Sequence, residues 1–197
     1  MHKLLLNIPT HLETERLYLR CYQPGDGQWY CAVSQKNRAH LTRYESDNVA
    51  MTIKTEEDAE IVVRDLAAAW VARDCFFLGA FDKQTEGFVA QIYIGVVNWA
   101  LPEFQIGYFV DKDYEGHGYV TEAVMGTLQF ILDHLKAHRV RLECDDTNVR
   151  SYRVAERCGM RREGHIRENK KNADGTIGGT LYFGLLRSEF EALRGDH

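Results

Sequence analysis

The amino-acid sequence predicts an α/β fold in which helices cover both faces of one mixed, mostly antiparallel sheet. Three strand-like runs follow one another between residues 75 and 110 and are joined by short turns, as in an antiparallel meander. Helical and strand patterns surround this meander in an irregular order. That order lacks the regular strand–helix alternation of a dinucleotide-binding fold and therefore disfavours one.

Local signals assign the elements of the first half. Residues 16–20 alternate in polarity and predict a first strand, and the polar stretch 24–46 predicts one or two short helices. Thr55 followed by Asp58 is a helix start of the capping type, and helical spacing of apolar residues continues to Arg73. The strands of the meander are predicted at residues 75–82, 87–98 and 103–110.

A strongly periodic helix is predicted after the meander. Apolar residues recur at helical spacing from Val120 to Leu135, and the helix is expected to end near His138. His134 and His138 would then be one turn apart, but without an acidic or cysteine partner they fit cations near a helix C-terminus better than metal ligands. No metal site is predicted. Residues 139–143 alternate again and predict a strand.

The last elements are shorter. Asn148 is a typical N-cap for a short helix that Gly159 would end. Two strands are predicted on either side of a turn at residues 172–175. Ser188 with Glu191 predicts a capping box at the start of a terminal helix.

Length and charge limit the function classes. The chain of 197 residues can bury a substantial core, and we expect a single domain over residues 1–197. The formal net charge of −5 argues against binding along a phosphate backbone, so no nucleic-acid partner is expected. A negative charge weakly favours a cationic substrate.

The cysteines and the N-terminus indicate the compartment. The five cysteines are odd in number and include no Cys-x-x-Cys pair, so reduced thiols explain them better than disulfides or zinc. The N-terminus lacks the apolar stretch and cleavage site of a signal peptide, and no segment approaches the roughly 18 apolar residues of a membrane span. The sequence therefore predicts a cytoplasmic protein with no membrane partner.

The segment at residues 114–122 has the strongest chemical signal. Gly116 and Gly118 let the backbone turn tightly and approach a ligand. The helix that follows offers unpaired N–H groups and a partial positive charge, which together could hold a diphosphate without a lysine or a metal. A plain tight turn is the alternative. The segment lacks the Gly-Lys-Ser/Thr of a P-loop and the third glycine of a dinucleotide fingerprint.

Residues 106–110 and 114–123 together resemble the acyl-CoA-binding motif of the GNAT acetyltransferase superfamily, in particular the branch that acetylates the N-termini of ribosomal proteins. Residues 12–20, 148–160 and 181–187 resemble further segments of that branch, in the expected order. The resemblance implies the GNAT fold and acetyl-CoA as co-substrate. It also implies direct acetyl transfer to a primary amine in a ternary complex, without a covalent enzyme intermediate.

The resemblance also implies cofactor contacts. Main-chain groups near Phe109 and Val110, on a strand that splays from its neighbour, would pair with the pantetheine arm. Loop amides would hold the diphosphate, and Asn148 would touch the cofactor arm while also capping its helix. The complete set of predicted cofactor-binding residues is Phe109, Val110, Glu115, Gly116, His117, Gly118, Tyr119, Val120, Thr121, Asn148 and Ser151.

Two loop residues depart from the family pattern. The family usually has Gln or Arg at the position of Glu115, and Gly or Ala at the position of Val120. A carboxylate near a diphosphate is unfavourable unless it points away. A valine crowds the close approach of a ligand. Because main-chain amides are expected to do the binding, both departures weaken the predicted cofactor site only slightly.

The catalytic predictions are Ser151 and Glu103. Many superfamily members have a tyrosine acid where this chain has Ala155, whereas the ribosomal-protein branch has a serine at the position of Ser151, whose hydroxyl would protonate or hydrogen-bond the leaving sulfur. Gln105 occupies the position of a common glutamate base and cannot accept a proton. Glu103 lies on the same strand face and could act directly or through a water. A surface carboxylate is the alternative reading of Glu103.

Acid–base chemistry favours an α-amine acceptor. At pH 7 about one-tenth of an α-amine is neutral, against about one in 2,500 for a lysine amine. An α-amine is therefore the easier acceptor, although a lysine is not excluded, and the resemblance implies a protein N-terminal amine, as in a ribosomal protein. The same fold acting on a polyamine, an aminoglycoside or an amino-acid-like metabolite stays open, and so does a non-catalytic acyl-CoA sensor. A dinucleotide-dependent oxidoreductase is disfavoured, and the chain could be a monomer or a homodimer.

Overall fold

The computed structural model describes residues 2–172 and 174–195. The strands, in chain order, are β1 His11–Glu13, β2 Leu17–Cys21, β3 Cys75–Asp82, β4 Phe88–Asn98, β5 Glu103–Val110, β6 Arg139–Asp145, β7 Arg161–Lys171 and β8 Ile177–Leu186. The α-helices are α1 Gly27–Leu41, α2 Glu56–Ala72, α3 Tyr119–Asp133, α4 Val149–Arg157 and α5 Arg187–Gly195. The predicted α/β class is confirmed.

The eight strands form one sheet in the order β1-β2-β3-β4-β5-β6-β8-β7. Adjacent strands are antiparallel except β5 and β6, which are parallel. A parallel pair needs a crossover connection, and α3 supplies it between these two strands. The mixed, mostly antiparallel sheet is therefore confirmed. The single domain over residues 1–197 stays a prediction.

Helices pack on both faces of the sheet. On one face the apolar side of α3, including Val124, Leu128 and Ile131, packs against the central strands in a large buried cluster. On the other face α1 and α2 pack against the aromatic rings of Phe88 and Phe109 in a second cluster. These two layers hold the strands in place and leave the ends of β5 and β6 to form the site.

Several predicted elements match the structure closely. The meander strands at residues 75–82 and 103–110 have the predicted bounds. Thr55 and Asp58 form the capping box of α2, because each side chain binds the other residue's backbone N–H or that of its neighbour. The Asn148 side chain accepts the Ser151 N–H at the start of α4, as an N-cap does.

Two helix boundaries were predicted wrongly. Helix α3 ends at Asp133 rather than near His138, since Lys136 has a left-handed φ of 59° and the His138 N–H binds Pro102 O at 2.7 Å. His134 and His138 therefore do not lie on one helix. Helix α5 begins at Arg187, so Ser188 is inside it and not its N-cap.

Two further differences concern the N-terminal half. The polar stretch 24–46 contains a single helix of 15 residues rather than one or two short ones. The three-residue strand β1 was not predicted, because so short a segment has no detectable alternation. It pairs with β2 from His11–Arg20 to Glu13–Tyr18. Ala173, in the predicted turn at 172–175, is outside the described residues.

Candidate active site

The parallel strands β5 and β6 separate part-way along their length. Their pairing runs from Glu103–Arg139 to Ile106–Leu142. Beyond that point β5 continues alongside β4 as far as Val110, and β6 continues alongside β8 as far as Asp145. The free edges of the two strands therefore face a gap in the sheet, where backbone groups of β5 are available to a ligand.

A cavity of about 200 Å³ lies at this gap. Its lining residues come from the connection between α1 and α2, from the open ends of β5 and β6, from the start of α4, and from β7 and β8. They are Tyr44, Glu45, Gly107, Tyr108, Leu142, Glu143, Cys144, Asp145, Asn148, Ser151, Lys170 and Thr180.

The cavity has two chemically different walls, since successive strand residues point to opposite faces of the sheet. Tyr108 of β5 points toward α4, where its hydroxyl contacts Ser151. Asp145 of β6 points to the other side, where its carboxylate lies 2.9 Å from Lys170 Nζ. Glu45 lies on this second wall. The gap thus connects a neutral wall beside α4 with an acidic wall on the opposite face.

Ser151 is held in place from two directions. Its N–H donates to Asn148 Oδ1 at 3.2 Å, and the Tyr108 hydroxyl donates to its carbonyl oxygen at 2.9 Å. The Tyr108 oxygen also lies 3.3 Å from Ser151 Oγ. Burial raises the pKa of the Cys144 thiol to about 11, although a hydrogen bond with Ser151 partly opposes this. Serine, tyrosine and cysteine are therefore all neutral on this wall at pH 7.

The loop before α3 presents unpaired amides. Gly116 and Gly118 have φ values of 80° and 79°, a region that side-chain-bearing residues seldom adopt. Gly118 begins α3 without a side-chain cap. Among residues 2–172 and 174–195, no amide from Gly116 to Thr121 donates a hydrogen bond to the protein. A row of such amides at a helix N-terminus fits a diphosphate.

An ion pair fixes this loop to the first strands. Glu122 accepts hydrogen bonds from Thr14 Oγ1 at 2.5 Å, Arg16 N at 2.7 Å and Arg16 Nε at 2.6 Å. Burial works to raise the pKa of Glu122, but these hydrogen bonds outweigh it and lower the pKa. Arg16 also donates to His117 O at 3.1 Å. The loop before α3 is therefore held at a fixed position relative to β2.

The charge of Glu115 is compensated locally. Both of its carboxylate oxygens lie 2.6 Å from an Arg150 guanidinium nitrogen, and one lies 3.2 Å from His40 Nε2. The carboxylate is thus engaged on the side of α4 and α1, so its repulsion of a neighbouring anion is reduced.

A match between this chain and a protein-family model, in addition to the geometry described above, identifies the family. The GNAT acetyltransferase domain matches residues 16–161 of the chain. The chain belongs to the GNAT acetyltransferase family. This GNAT enzyme is an acetyl-CoA-dependent N-acetyltransferase, and its gap between β5 and β6 and its unpaired loop amides are features that suit that co-substrate.

Relatives of this GNAT enzyme cover nearly its whole length. YdaF of Bacillus subtilis (strain 168), provisionally named a ribosomal N-acetyltransferase, is 31% identical over 182 residues, which is 90% of this chain and 94% of YdaF. Ribosomal-protein-S5-alanine acetyltransferase from Vibrio fischeri superposes with a TM-score of 0.81 at 18% identity, covering 92% of this chain and 99% of that one. A ribosomal L7/L12 α-N-protein acetyltransferase in complex with coenzyme A gives 0.79 at 16% identity, covering 91% and 97%. The GNAT fold is confirmed.

The predicted cofactor residues of the GNAT site differ in exposure. Gly116, His117 and Gly118 are exposed at the loop surface. Val120 is half-buried and packs against the core cluster rather than crowding the surface of the loop. Phe109 is buried on the opposite face of the sheet, so only its main chain is available to a ligand in the gap.

The structure does not bring Glu103 together with Ser151. Glu103 is in the closed part of the parallel pair, with its Oε1 3.2 Å from Arg139 Nε. It is four residues, or roughly 13 Å, from Gly107, where the gap begins. Gln105 is also engaged, since its Oε1 accepts from an Arg141 guanidinium nitrogen at 3.1 Å. Neither residue lines the cavity.

Sequence reasoning missed the other half of the cavity. Tyr108 lies inside the recognised motif, and its strand alternation relative to Phe109 would have placed it toward α4. Glu45 and Lys170 come from segments without a recognisable pattern, and only the tertiary fold brings them to Ser151.

Neither a metal-binding group nor a membrane-spanning helix is found in the described residues. Within the described ranges, no group of three or more His, Cys, Asp or Glu residues is arranged to hold a metal ion. None of the helices found in the described part of the chain combines the length and apolarity needed to cross a bilayer.

Proposed function

We propose that this GNAT enzyme acetylates the N-terminal α-amine of a protein, by direct attack of the amine on acetyl-CoA in a ternary complex. The observation that carries the proposal is the cavity with two walls. A neutral hydroxyl wall beside α4 fits the thioester, and an acidic wall opposite fits an incoming ammonium group.

Acetyl-CoA would be held mainly by main-chain groups. The unpaired amides from Gly116 to Thr121 would bind the diphosphate, and the free edge of β5 at Phe109 and Val110 would pair with the pantetheine arm. The remaining predicted contacts, including Asn148, would line the same path. This arrangement would direct the thioester carbon into the gap between β5 and β6.

Ser151 would act on the leaving sulfur. Its hydroxyl is half-buried at the cavity wall, and its main chain is held by Asn148 and Tyr108, so little reorganisation is needed. The hydrogen bond that Ser151 donates would stabilise the negative charge that develops on sulfur as the carbon–sulfur bond breaks. Positioned proton donors of this kind contribute about 10²–10⁴ in rate.

The acceptor assignment is supported by charge and by relatives. The acidic wall of the cavity has three carboxylates, Glu45, Glu143 and Asp145, and one ammonium, Lys170, so its net negative charge favours a cationic amine. YdaF and the two ribosomal-protein acetyltransferases carry names that refer to ribosomal proteins. A cavity of about 200 Å³ admits an extended chain end but not a folded surface. The same volume also admits a small amine, which is the second candidate.

The proposed function includes a cytoplasmic location and either a monomeric or a homodimeric state. The five cysteines are free thiols, four of them buried, as expected of an enzyme that works in the reducing cytoplasm. Nothing in the mechanism requires a second subunit, so a monomer or a homodimer would serve equally.

An acceptor panel tests the proposal. Labelled acetyl-CoA is offered with peptides of differing N-terminal residue, with the same peptides blocked at the N-terminus but containing lysine, and with spermidine. We expect labelled unblocked peptides, with the acetyl group on the α-nitrogen by mass spectrometry. Label only on lysine or on spermidine would refute the α-amine assignment while leaving the acetyltransferase activity intact.

A further inference from the structure

Glu45 is the uncommitted carboxylate of the cavity. It lies in the turn after α1, where its N–H binds Leu41 O at 2.8 Å and its own carbonyl accepts the Asn48 N–H at 3.0 Å. The Asn48 side-chain amide donates to Glu45 Oε2 at 3.3 Å. These contacts fix the direction of the side chain without neutralising it. Within residues 2–172 and 174–195, Glu45 forms no ion pair.

The other charges at the cavity are already paired. Lys170 of β7 lies 2.9 Å from Asp145 of β6, and Glu143 of β6 lies 3.6 Å from Arg141. Tyr108 of β5 is neutral, because burial raises the pKa of its hydroxyl. Glu45 is therefore the carboxylate on this wall that is free to accept a proton.

Proton transfer at the nitrogen and proton transfer at the sulfur need groups on two walls. The acceptor ammonium must lose a proton before its nitrogen can attack, and a proton must reach the sulfur on a different side of the carbonyl carbon. Ser151 is on the wall beside α4, and Glu45 comes from the connection on the opposite face of the sheet. Both line a cavity of about 200 Å³, so a single small group in it is close to both.

We propose that Glu45 is the general base of this enzyme and takes the proton from the acceptor ammonium, directly or through one water. The inference rests on the proposed function. The ammonium first gives one proton to Glu45. The neutral nitrogen then forms the carbon–nitrogen bond and loses its second proton to solvent. As the carbon–sulfur bond breaks, the sulfur takes a proton from the Ser151 hydroxyl, which regains one from solvent. The net products are the amide, free coenzyme A and one proton released from Glu45.

The electrostatic setting suits this role. Burial raises the pKa of Glu45 to about 7, with Asp47 contributing, while the Asn48 hydrogen bond and the charge of Lys170 act in the opposite direction. A base is most effective when its pKa is near the working pH, because it is then both deprotonated and basic enough to take the proton.

The test compares Glu45→Gln with the matched control Asp65→Asn, which removes an exposed carboxylate from α2. The probes are acetyl-CoA and an Ala-initiated octapeptide, with kcat measured from pH 6 to 9 and coenzyme A binding measured by calorimetry. We expect Glu45→Gln to lower kcat at pH 7 by about 100-fold or more with coenzyme A affinity unchanged. The deficit should shrink toward pH 9, where the peptide amine is neutral without help.

The outcomes separate the two proposals. A kcat for Glu45→Gln within threefold of wild type across the pH range would overturn the role of Glu45 and leave the proposed function standing. A uniform loss of kcat at every pH would also overturn it, because a structural defect does not depend on the protonation of the amine. Failure of the wild-type enzyme to acetylate the octapeptide or any other unblocked peptide of the acceptor panel would refute the proposed α-amine function, and the base with it.

Discussion

The Tyr108 hydroxyl lies 3.3 Å from Ser151 Oγ and donates a 2.9 Å hydrogen bond to the Ser151 carbonyl oxygen. The two residues are 43 positions apart, and they meet because β5 diverges from β6 beside the first turn of α4. The contact links the edge of the gap to the proposed acid. The orientation of Ser151 therefore depends on a tyrosine in the neighbouring strand.

Removing the Tyr108 hydroxyl tests this dependence. In Tyr108→Phe the Ser151 carbonyl loses its donor, which costs about 1 kcal/mol of stability. We expect kcat to fall about tenfold, with coenzyme A affinity unchanged, because Ser151 Oγ becomes less well oriented. Tyr93→Phe, a half-buried tyrosine on neighbouring β4, is the control. Equal kcat values for the two variants would exclude an orienting role for Tyr108.

Ser151→Ala should affect the chemical step. We expect kcat to fall about 100-fold, since the leaving sulfur loses its hydrogen-bond donor, while coenzyme A affinity stays within about twofold. The measurement is thiol release together with calorimetric binding. Ser188→Ala, an exposed serine in the first turn of α5, is the control and should match wild type. An unchanged kcat with intact binding would remove Ser151 from the mechanism.

Gly118, in the loop before α3, should be needed for coenzyme A binding because of its left-handed φ. In Gly118→Ala the methyl group has room, its nearest neighbour being Arg16 at 3.7 Å, but the φ of 79° is strained for alanine by about 1 kcal/mol. Relief of that strain would turn the amides away from the diphosphate. We expect coenzyme A affinity to fall about tenfold by calorimetry.

Gly175→Ala is the matched control for this loop variant. Gly175 has a φ of 85°, also has room for a methyl group, and lies in the β7–β8 connection. Both variants should lose similar stability in urea, but only Gly118→Ala should lose affinity. A loss of affinity in both, or in neither, would contradict binding by the loop amides.

The ion pair between Glu115 and Arg150 should reduce the repulsion between the Glu115 carboxylate and the diphosphate of coenzyme A. Arg150→Ala leaves Glu115 with His40 as its remaining partner, and we expect coenzyme A affinity to fall about fivefold at low salt. Adding Glu115→Gln should restore it. Arg153→Ala, an exposed arginine on the same helix, is the control. If the double variant binds as weakly as Arg150→Ala alone, Arg150 contacts the cofactor itself.

The fold was largely predictable, because its signals are local. The periodicity of residues 75–110 gives the meander, and the Thr55–Asp58 capping box gives the start of α2. The end of α3 was missed because apolar spacing continues to Leu135, whereas the left-handed Lys136 turns the chain. Periodicity reports which residues are buried, but it does not report where the backbone stops being helical.

The site was predictable only where one segment forms it. The loop before α3, which is the predicted diphosphate site, is contiguous in sequence, so its glycines and the following helix could be recognised directly. The acidic wall of the cavity combines Glu45, Asp145 and Lys170 from three distant segments, and no local pattern relates them. Glu103 was predicted because it shares a strand face with Gln105, which stands at the position of the family's common base. Sharing a face does not show whether the strand is open or paired at that level.

The raised pKa of Glu45 predicts a pH-dependent effect on stability that needs no substrate. Its folded-state pKa of about 7 lies above the value of 4.5 expected for an ordinary glutamate, so the folded protein binds the proton more tightly than the unfolded chain. The contribution of Glu45 to the free energy of unfolding therefore falls as pH rises from about 4.5 to about 7, and it is fully lost above that range.

The variant Glu45→Gln should remove this loss, and it should be more stable than wild type at pH 8 by on the order of 2 kcal/mol. Urea unfolding of both proteins at pH 5 and pH 8 measures the difference, with Asp65→Asn, which removes an exposed carboxylate of α2, as the control. Equal shifts for wild type and Glu45→Gln between the two pH values would show that Glu45 is solvated and ionised like an ordinary surface glutamate, and that it lacks the basicity its proposed role requires.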